Sequence, residues 1–270
     1  MDKSSFGGII LALGGIFAGM MLEGGSLRQI LQPTAAMIVI GGTVGAVMLQ
    51  FPLQTVLQAA KQLVRVFFST EPDGAALVTQ LVAFANKARR SGIVSLDQDL
   101  AGVHEPFLKQ ALMLAVDGTE PAELRKIMQM ELDNQGETEE RIPQVFESAG
   151  GFSPTIGIIG AILGLIQVMQ HLDNITEVGR GIAVAFVATI YGVGFANIFF
   201  LPAAGKLKIR HRDEQLQKEM MLEGVISIME GMNPRMVELK LKTFLGEQQQ
   251  PAAEEGRSAE GVKTVKAVKA

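Results

Sequence analysis

The chain has 270 residues, 48% of them hydrophobic and 19% charged, with a formal net charge of −4. A mean hydropathy of +0.27 is high for a soluble enzyme of this length and fits a membrane protein with a substantial aqueous part. The charge balance gives no reason to expect nucleic acid as a partner, and the lack of cysteine excludes disulfides, thiolate metal sites and thiol nucleophiles within the chain.

In chain order, the first apolar run, 6–22, follows a single lysine and is longer than a signal-peptide core. It has no small-x-small cleavage site ahead of Glu23, so it reads as a retained span. A short polar loop, EGGSLRQILQP, leads to a second apolar run, making 5–22 and 34–51 a hairpin. Small-xxx-small spacing at Gly15/Gly19, Gly41/Gly45 and Gly160/Gly164 predicts close helix packing. The central stretch, 52–150, is too polar for lipid and too long for a loop. Helical spacing recurs in VLQAAKQLVRVFF and ALVTQLVAFANKARR. A further helix is expected over 105–116, with Pro106 in its first turn, and another opens at Pro121 and runs toward Arg141. The acidic run 137–140 has no calcium-loop pattern and reads as a solvated helix face.

The stretch 151–205 organises the rest. It reads GFSPTIGIIGAILGLIQVMQ, a polar loop HLDNITEVGR, then GIAVAFVATIYGVGFANIFFLPAAG. Each arm can cross a hydrocarbon core of ~30 Å at ~1.5 Å per residue. Neither arm contains Asp, Glu, Lys or Arg; the polar groups inside are chiefly Thr155, Thr189, Tyr191 and Asn197. Pro154 stands at its start, as an acceptable first helical residue, and Pro202 near its end. From Lys206 the chain continues as a charged amphipathic helix, breaks at Asn233 and Pro234, and forms one more short helix through Leu245. The segment after Gly246 lacks a plausible core. The expected fold is an all-α integral membrane protein with four transmembrane helices, at 5–22, 34–51, 152–170 and 181–204. Its parts are a membrane hairpin (1–51), a cytoplasmic helical domain (52–150), a second hairpin (151–205), cytoplasmic helices (206–246) and a disordered tail (247–270).

Arg28 and Arg180 are the basic residues of the two short loops, whereas Lys61, Arg65, Lys206, Lys208, Arg210 and Arg212 follow the second and fourth spans. The positive-inside rule therefore places both termini and the central segment in the cytoplasm. No nucleotide loop, HExxH or GxSxG motif is present, and His104, His171 and His211 lack metal-ligand spacing. The informative feature is the lack of charge in the spans, because ion pathways are normally marked by an ionisable residue. If this chain moves ions, the titrating carboxylate comes from another chain. Thr155 and Thr189 then either line that path with hydroxyls or simply bond their own helix carbonyls; the residues alone leave both open.

The run FSPTIGIIGAILGLI, the run GIAVAFVATIYGVGFANIFFLP and the later EGVISIMEGMNPRMVELKL, with two hairpins around a helical insert, resemble the flagellar stator A-subunit family, MotA/PomA. The resemblance covers about residues 2–245. It implies a stator subunit with no cofactor and no catalytic or metal site, assembled as a homo-oligomeric ring, a pentamer, around a dimer of MotB-type B-subunits in the bacterial inner membrane. The B-subunit supplies the ion-binding Asp and the peptidoglycan anchor, and the cytoplasmic domain of the ring pushes on the rotor protein FliG. The three-span ExbB/TolQ energisers are the nearest alternative. By the same resemblance, NKARRSGIVSLDQDL is the torque-generating region. There Arg89 and Asp97, eight residues apart, take the basic and acidic positions, and Arg90 is a rival for the basic one. The family commonly has Glu where Asp97 stands. Pro154 and Pro202 match the two family prolines and are expected to couple ion movement to the cytoplasmic domain. Sodium-driven members carry Thr seven residues after the first of them, where this chain has Ala161. The second family Thr matches Thr189. Sodium stripped of water needs several oxygen ligands, so Ala161 implies proton coupling, with Thr155 as a possible substitute hydroxyl.

Overall fold

The computed structural model describes residues 3–68 and 74–245; the tail expected to be disordered, 247–270, lies outside the described residues. All regular structure among them is helical. In order come α1 (Lys3–Leu22), the short α2 (Leu27–Ile30), α3 (Pro33–Gln50), α4 (Leu53–Phe68) and α5 (Gly74–Ser91). A run of 3₁₀ turns (Ile93–Gly102) leads to α6 (Pro106–Val116), α7 (Pro121–Gln170) and α8 (Ile175–Gly194). A π turn (Phe195–Phe200) passes into α9 (Leu201–Met229), and α10 (Pro234–Lys242) closes the described chain. Among the described residues, four helical stretches are long and apolar enough to cross a membrane, as the sequence predicts.

The helix ends follow local chemistry. Pro33, Pro106 and Pro234 each occupy a first turn, where the missing N–H leaves nothing unsatisfied. The Asn174 side chain caps α8, accepting from the N–H groups of Thr176 at 3.1 Å and Glu177 at 3.4 Å. The third loop is therefore shorter than the polar run suggests, since Ile175–Gly194 already includes its second half. α5 ends at Gly92, whose φ of 80° is open to glycine and strained for other residues.

The chain divides into two compact units, Met1–Thr70 with Gly136–Arg212, and Glu71–Gln135 with Asp213–Ala270. In the first, α3 buries every fourth residue, Ala35, Val39, Thr43 and Val47. Ala35 and Val39 pack with Val187 and Ala188 of α8. Val47 joins Phe146 and Ala149 of α7 and Ala204 and Leu207 of α9. Along α1 no residue of the apolar stretch is buried. The second unit has an aqueous-type core in which Leu81, Leu108, Leu112, Leu124, Met128, Ile226 and Leu241 are almost wholly enclosed. Each such side chain contributes about 1.5–3 kcal/mol of burial. In the membrane unit that driving force is absent, because lipid tails are as apolar as leucine, and close packing takes its place.

Two expectations are corrected. α7 is unbroken from Pro121 to Gln170 and has both Pro143 and Pro154 inside it, so Pro154 does not start a helix. A proline at that position removes the N–H that would serve the carbonyl four residues back. The glycine spacing at Gly15/Gly19 and Gly41/Gly45 marks no tight contact within this chain, since a Cβ at any of the four would meet nothing within 4 Å. Spacing specifies a stripe on a helix, not a neighbour for it.

Candidate functional site

α7 and α8 approach closely enough for backbone to meet backbone. A Cβ added at Gly192 would lie 2.6 Å from the Ser153 carbonyl oxygen and 3.0 Å from the Gly157 Cα. One at Gly157 would lie 2.9 Å from the Ala188 carbonyl oxygen. Toward the loop end, a Cβ at Gly164 would reach the Gly181 carbonyl oxygen at 2.9 Å, and one at Gly181 would reach Val168 Cγ2 at 2.5 Å. Gly160 touches Ala188 and Ile38, and Gly42 of α3 abuts Ile156. Backbone thus meets backbone along two arms that contain no charge. Of the seam residues, the sequence spacing singled out Gly160 and Gly164 but missed Gly157, Gly181 and Gly192.

The candidate path residues lie beside this seam. Thr155 is exposed, and its hydroxyl donates to the Phe152 carbonyl at 2.8 Å. Thr189 is half-buried and donates to the Ala185 carbonyl at 3.2 Å. Each hydroxyl spends its proton on its own helix and keeps oxygen lone pairs for an outside donor. Both fall within one turn of the Gly157–Ala188–Gly192 contact, and the half-buried Ala161 follows Gly160 there. Around them the outward stripes of α7 and α8 are apolar: Ile158, Ile162, Ile166, Phe186, Ile190 and Val193 are exposed.

Pro154 packs on the seam, its Cα 3.2 Å from the Cβ position of Gly192. Pro202 is exposed and follows the π turn, while its neighbour Leu201 fills the space above Gly150. Tyr191, which the sequence left as a polar group within a span, is a tether. Its hydroxyl donates to the Ile30 carbonyl at 2.7 Å and accepts from the Gln32 N–H at 3.4 Å, fixing the first loop to α8. The Thr43 and Ser153 hydroxyls are buried without a hydrogen-bond partner; neither stood out in the sequence.

In the second unit Arg89 and Arg90 form the last turn of α5, and Asp97 lies in the 3₁₀ run; all three are exposed. Among the described residues none forms an ion pair with them. The pair that does form is Lys87–Asp99 at 2.7 Å, which holds the 3₁₀ run against α5. Arg89, Arg90 and Asp97 are the residues the family resemblance marks as rotor contacts, and their exposure leaves them open to a partner, whereas Lys87 and Asp99 serve the fold. A second group the sequence did not mark is Glu223 on α9, which takes Arg125 of α7 at 2.9 Å and Lys240 of α10. Burial pushes its carboxyl up, but the hydrogen bonds and charges of Arg125 and Lys240 outweigh that and hold it below the usual carboxylate range. Glu105, on the wall of a cavity of about 710 Å³ with Glu214 and Lys218, is pushed above that range by burial, against the attraction of Lys218.

Residues 100–220 match the model of the MotA/TolQ/ExbB proton channel family, and residues 6–92 match the motility protein A N-terminal model. Motility protein A of Bacillus subtilis is 36% identical over 266 residues, covering 97% of this chain and 98% of that protein. The chain belongs to the MotA/TolQ/ExbB proton channel family. Two solved structures share its fold. C. jejuni MotAB has a TM-score of 0.88 at 32% identity, covering 93% of this chain and 98% of that one. The flagellar MotAB stator complex from Bacillus subtilis has a TM-score of 0.84 at 35% identity, covering 96% and 100%. Within the proton channel family, the match at 6–92 places this chain with the motility proteins, because that segment carries the first hairpin, α1 and α3, and continues through α5.

Proposed function

We propose that this protein is the A-subunit of a flagellar motor stator, which forms a proton channel with a MotB-type B-subunit and converts ion flow into torque on the rotor. The observation that carries this reading is a proton channel family member whose four spans contain no Asp, Glu, Lys or Arg. Proton transfer through a membrane needs a titrating group, so the carboxylate belongs to a partner helix. The uncharged outward stripes of α7 and α8, with the Thr155 and Thr189 hydroxyls at one level, suit such a helix.

The same reading places the protein in the bacterial inner membrane with both termini cytoplasmic, as a pentameric ring around two B-subunits. Arg89, Asp97 and Arg90 face the rotor protein FliG, and Pro154 and Pro202 act as mechanical linkers. Proton rather than sodium coupling follows from Ala161, which offers no side-chain oxygen to a dehydrated sodium ion. Each unit charge falling through ~100 mV releases ~2.3 kcal/mol, so torque arises from many small steps. The test is complementation: this chain with its own B-subunit restores swimming to a strain lacking its stator, and speed is unchanged as external sodium varies at fixed pH and ionic strength. Speed that vanishes in potassium-only medium, with the proton gradient intact, overturns the proton assignment. Failure to restore swimming, with both chains present in the membrane, overturns the stator reading.

A further inference from the structure

Along the 3₁₀ run Ile93–Gly102, residues three apart lie above one another, so its side chains sort into faces by register. One register turns inward. Ile93 packs on the core of the second unit, Leu96 is fully enclosed in it, and Asp99 takes Lys87 of α5 at 2.7 Å. The next register turns outward: Val94 is 67% exposed, and Asp97, three residues on, is exposed as well. Arg89 and Arg90 are exposed at the end of α5, just before the turn at Gly92. The run therefore presents an apolar side chain beside a carboxylate, with two guanidinium groups close by in the chain.

The fold holds that face still. Gly92 has φ 80° and ψ 160°, a backbone region essentially restricted to glycine. Its carbonyl accepts from the Ser95 hydroxyl at 2.6 Å and from the Ser95 N–H at 3.2 Å. Those bonds fix the chain around Val94, and the enclosed Leu96 and the Lys87–Asp99 pair fix it beyond. Valine is branched at Cβ and has a restricted χ1. A contact through Val94 therefore orders little, whereas one through arginine immobilises a long side chain. An exposed charge pair changes affinity by at most about five-fold, so Arg89 and Asp97 orient a partner more than they hold it. Withdrawing a valine side chain from water is worth about ten-fold or more. A single exposed valine is ordinary on a protein surface; this one stands on a rigid turn, on the same face as one of the charges.

We propose that Val94 is the apolar anchor of the rotor contact, seated in an apolar hollow on the rotor protein that has a cation beside Asp97 and an anion beside Arg89. The proposal rests on the reading of this loop as the rotor contact. A protein surface fits the face better than a lipid surface, because the Asp97 carboxylate would be carried toward lipid together with Val94. The size of the anchor also suits a contact that is made and broken as the ring turns. A large apolar patch would lengthen the residence time, whereas one small branched side chain among exposed charges lets the charges speed encounter and releases readily.

The test uses the full-length protein with its own B-subunit in lipid nanodiscs, binding the purified rotor protein, followed by biolayer interferometry at several salt concentrations. Val94→Thr keeps the shape and the branching and should weaken binding about ten-fold with the salt dependence unchanged. Val94→Ile should bind at least as tightly as the unaltered protein. Arg89→Gln and Asp97→Asn should weaken binding by at most about five-fold and flatten its salt dependence. Should Val94→Thr lower the unfolding temperature, Val94→Ala takes its place with the same ten-fold expectation. Unchanged affinity in the Val94 variants, with Arg89→Gln and Asp97→Asn still weakened, overturns the anchor and leaves the rotor reading standing. Failure of the unaltered complex to bind, or unchanged binding in every variant, overturns the rotor reading and the anchor with it. Photo-cross-linking in swimming cells, with p-benzoylphenylalanine at position 94, gives an independent outcome. A cross-link to the rotor protein is expected, and one to a second copy of this chain alone overturns the proposal.

Discussion

Replacing Gly192 by alanine tests whether α7 and α8 are held by backbone contact. The new methyl would lie 2.6 Å from the Ser153 carbonyl oxygen, 3.0 Å from the Gly157 Cα and 3.2 Å from the Pro154 Cα. All three are backbone atoms, so no side chain can rotate away, and the helices must part by roughly 0.7 Å to restore ordinary contact. A gap of that size forfeits about a quarter to a half of each lost dispersion contact, and overpacking costs about 1–3 kcal/mol. The gain in helix propensity from glycine to alanine returns about 1 kcal/mol, for a net loss of about 0–2 kcal/mol. Gly194, two residues on, provides the internal control, since its Cβ meets nothing within 4 Å, and Gly194→Ala should receive the propensity gain alone. With no Trp and one Tyr in the chain, the assay is thermal unfolding in detergent followed by circular dichroism at ~222 nm, the helix band. The propensity gain is common to both variants, so they differ by the overpacking cost alone; at ~2–4 °C per kcal/mol they should unfold about 2–12 °C apart, Gly192→Ala lower. Equal midpoints would refute the seam, and a lower midpoint for Gly194→Ala would show that the packed face has been misplaced.

The Glu223 carboxylate, its side chain 17% exposed between Arg125 and Lys240, should cost about 1–2 kcal/mol when changed to Gln, because both cations are exposed enough to regain water. Its folded pKa is depressed, so its stabilisation is complete above the ordinary value of 4.5 and is lost as pH falls through the lower folded value; Glu223→Gln should flatten acid unfolding in that window, and an unchanged pH profile would contradict the assignment. If the proposed rotor contact holds, Arg89→Glu should impair swimming more than Arg89→Ala, because an exposed charge pair is worth only ~0–1 kcal/mol whereas reversal adds repulsion. A compensating charge swap on FliG should recover part of the loss, and normal swimming by Arg89→Glu cells at normal protein levels would move the role to Arg90 or remove it. Thr43→Val keeps the shape of a side chain whose buried hydroxyl has no partner; it should unfold at the same temperature or up to a few degrees higher, and a clear loss of stability would show that the hydroxyl is bonded in the working protein.

The sequence by itself determined the fold class, the four spans and the family. Apolar run length, the lack of charge in 152–170 and 181–204, and the prolines and Asn at 33, 106, 174 and 234 act locally, and a helix end or a span needs nothing more than local chemistry. It determined equally that the four spans contain no Asp, Glu, Lys or Arg. Tertiary structure decided which features of these helices meet. Gly15, Gly19, Gly41 and Gly45 have the spacing of a packed face, yet a Cβ there would meet nothing within 4 Å in this chain, whereas Gly157, Gly181 and Gly192 meet backbone because α8 turns back along α7. Pro154 looks like a helix start by its residue type, yet lies inside an unbroken α7, because neighbouring packing can hold a helix across one missing hydrogen bond. Lys87 pairs with Asp99 while Arg89 and Asp97 stay exposed, since the pairing depends on how the 3₁₀ run folds back on α5. Glu223 meets Arg125 and Lys240 from helices 98 residues before it and 17 residues after it. Periodicity is a property of one helix and contact a property of two, so the chain order could state the first and only the packed molecule the second.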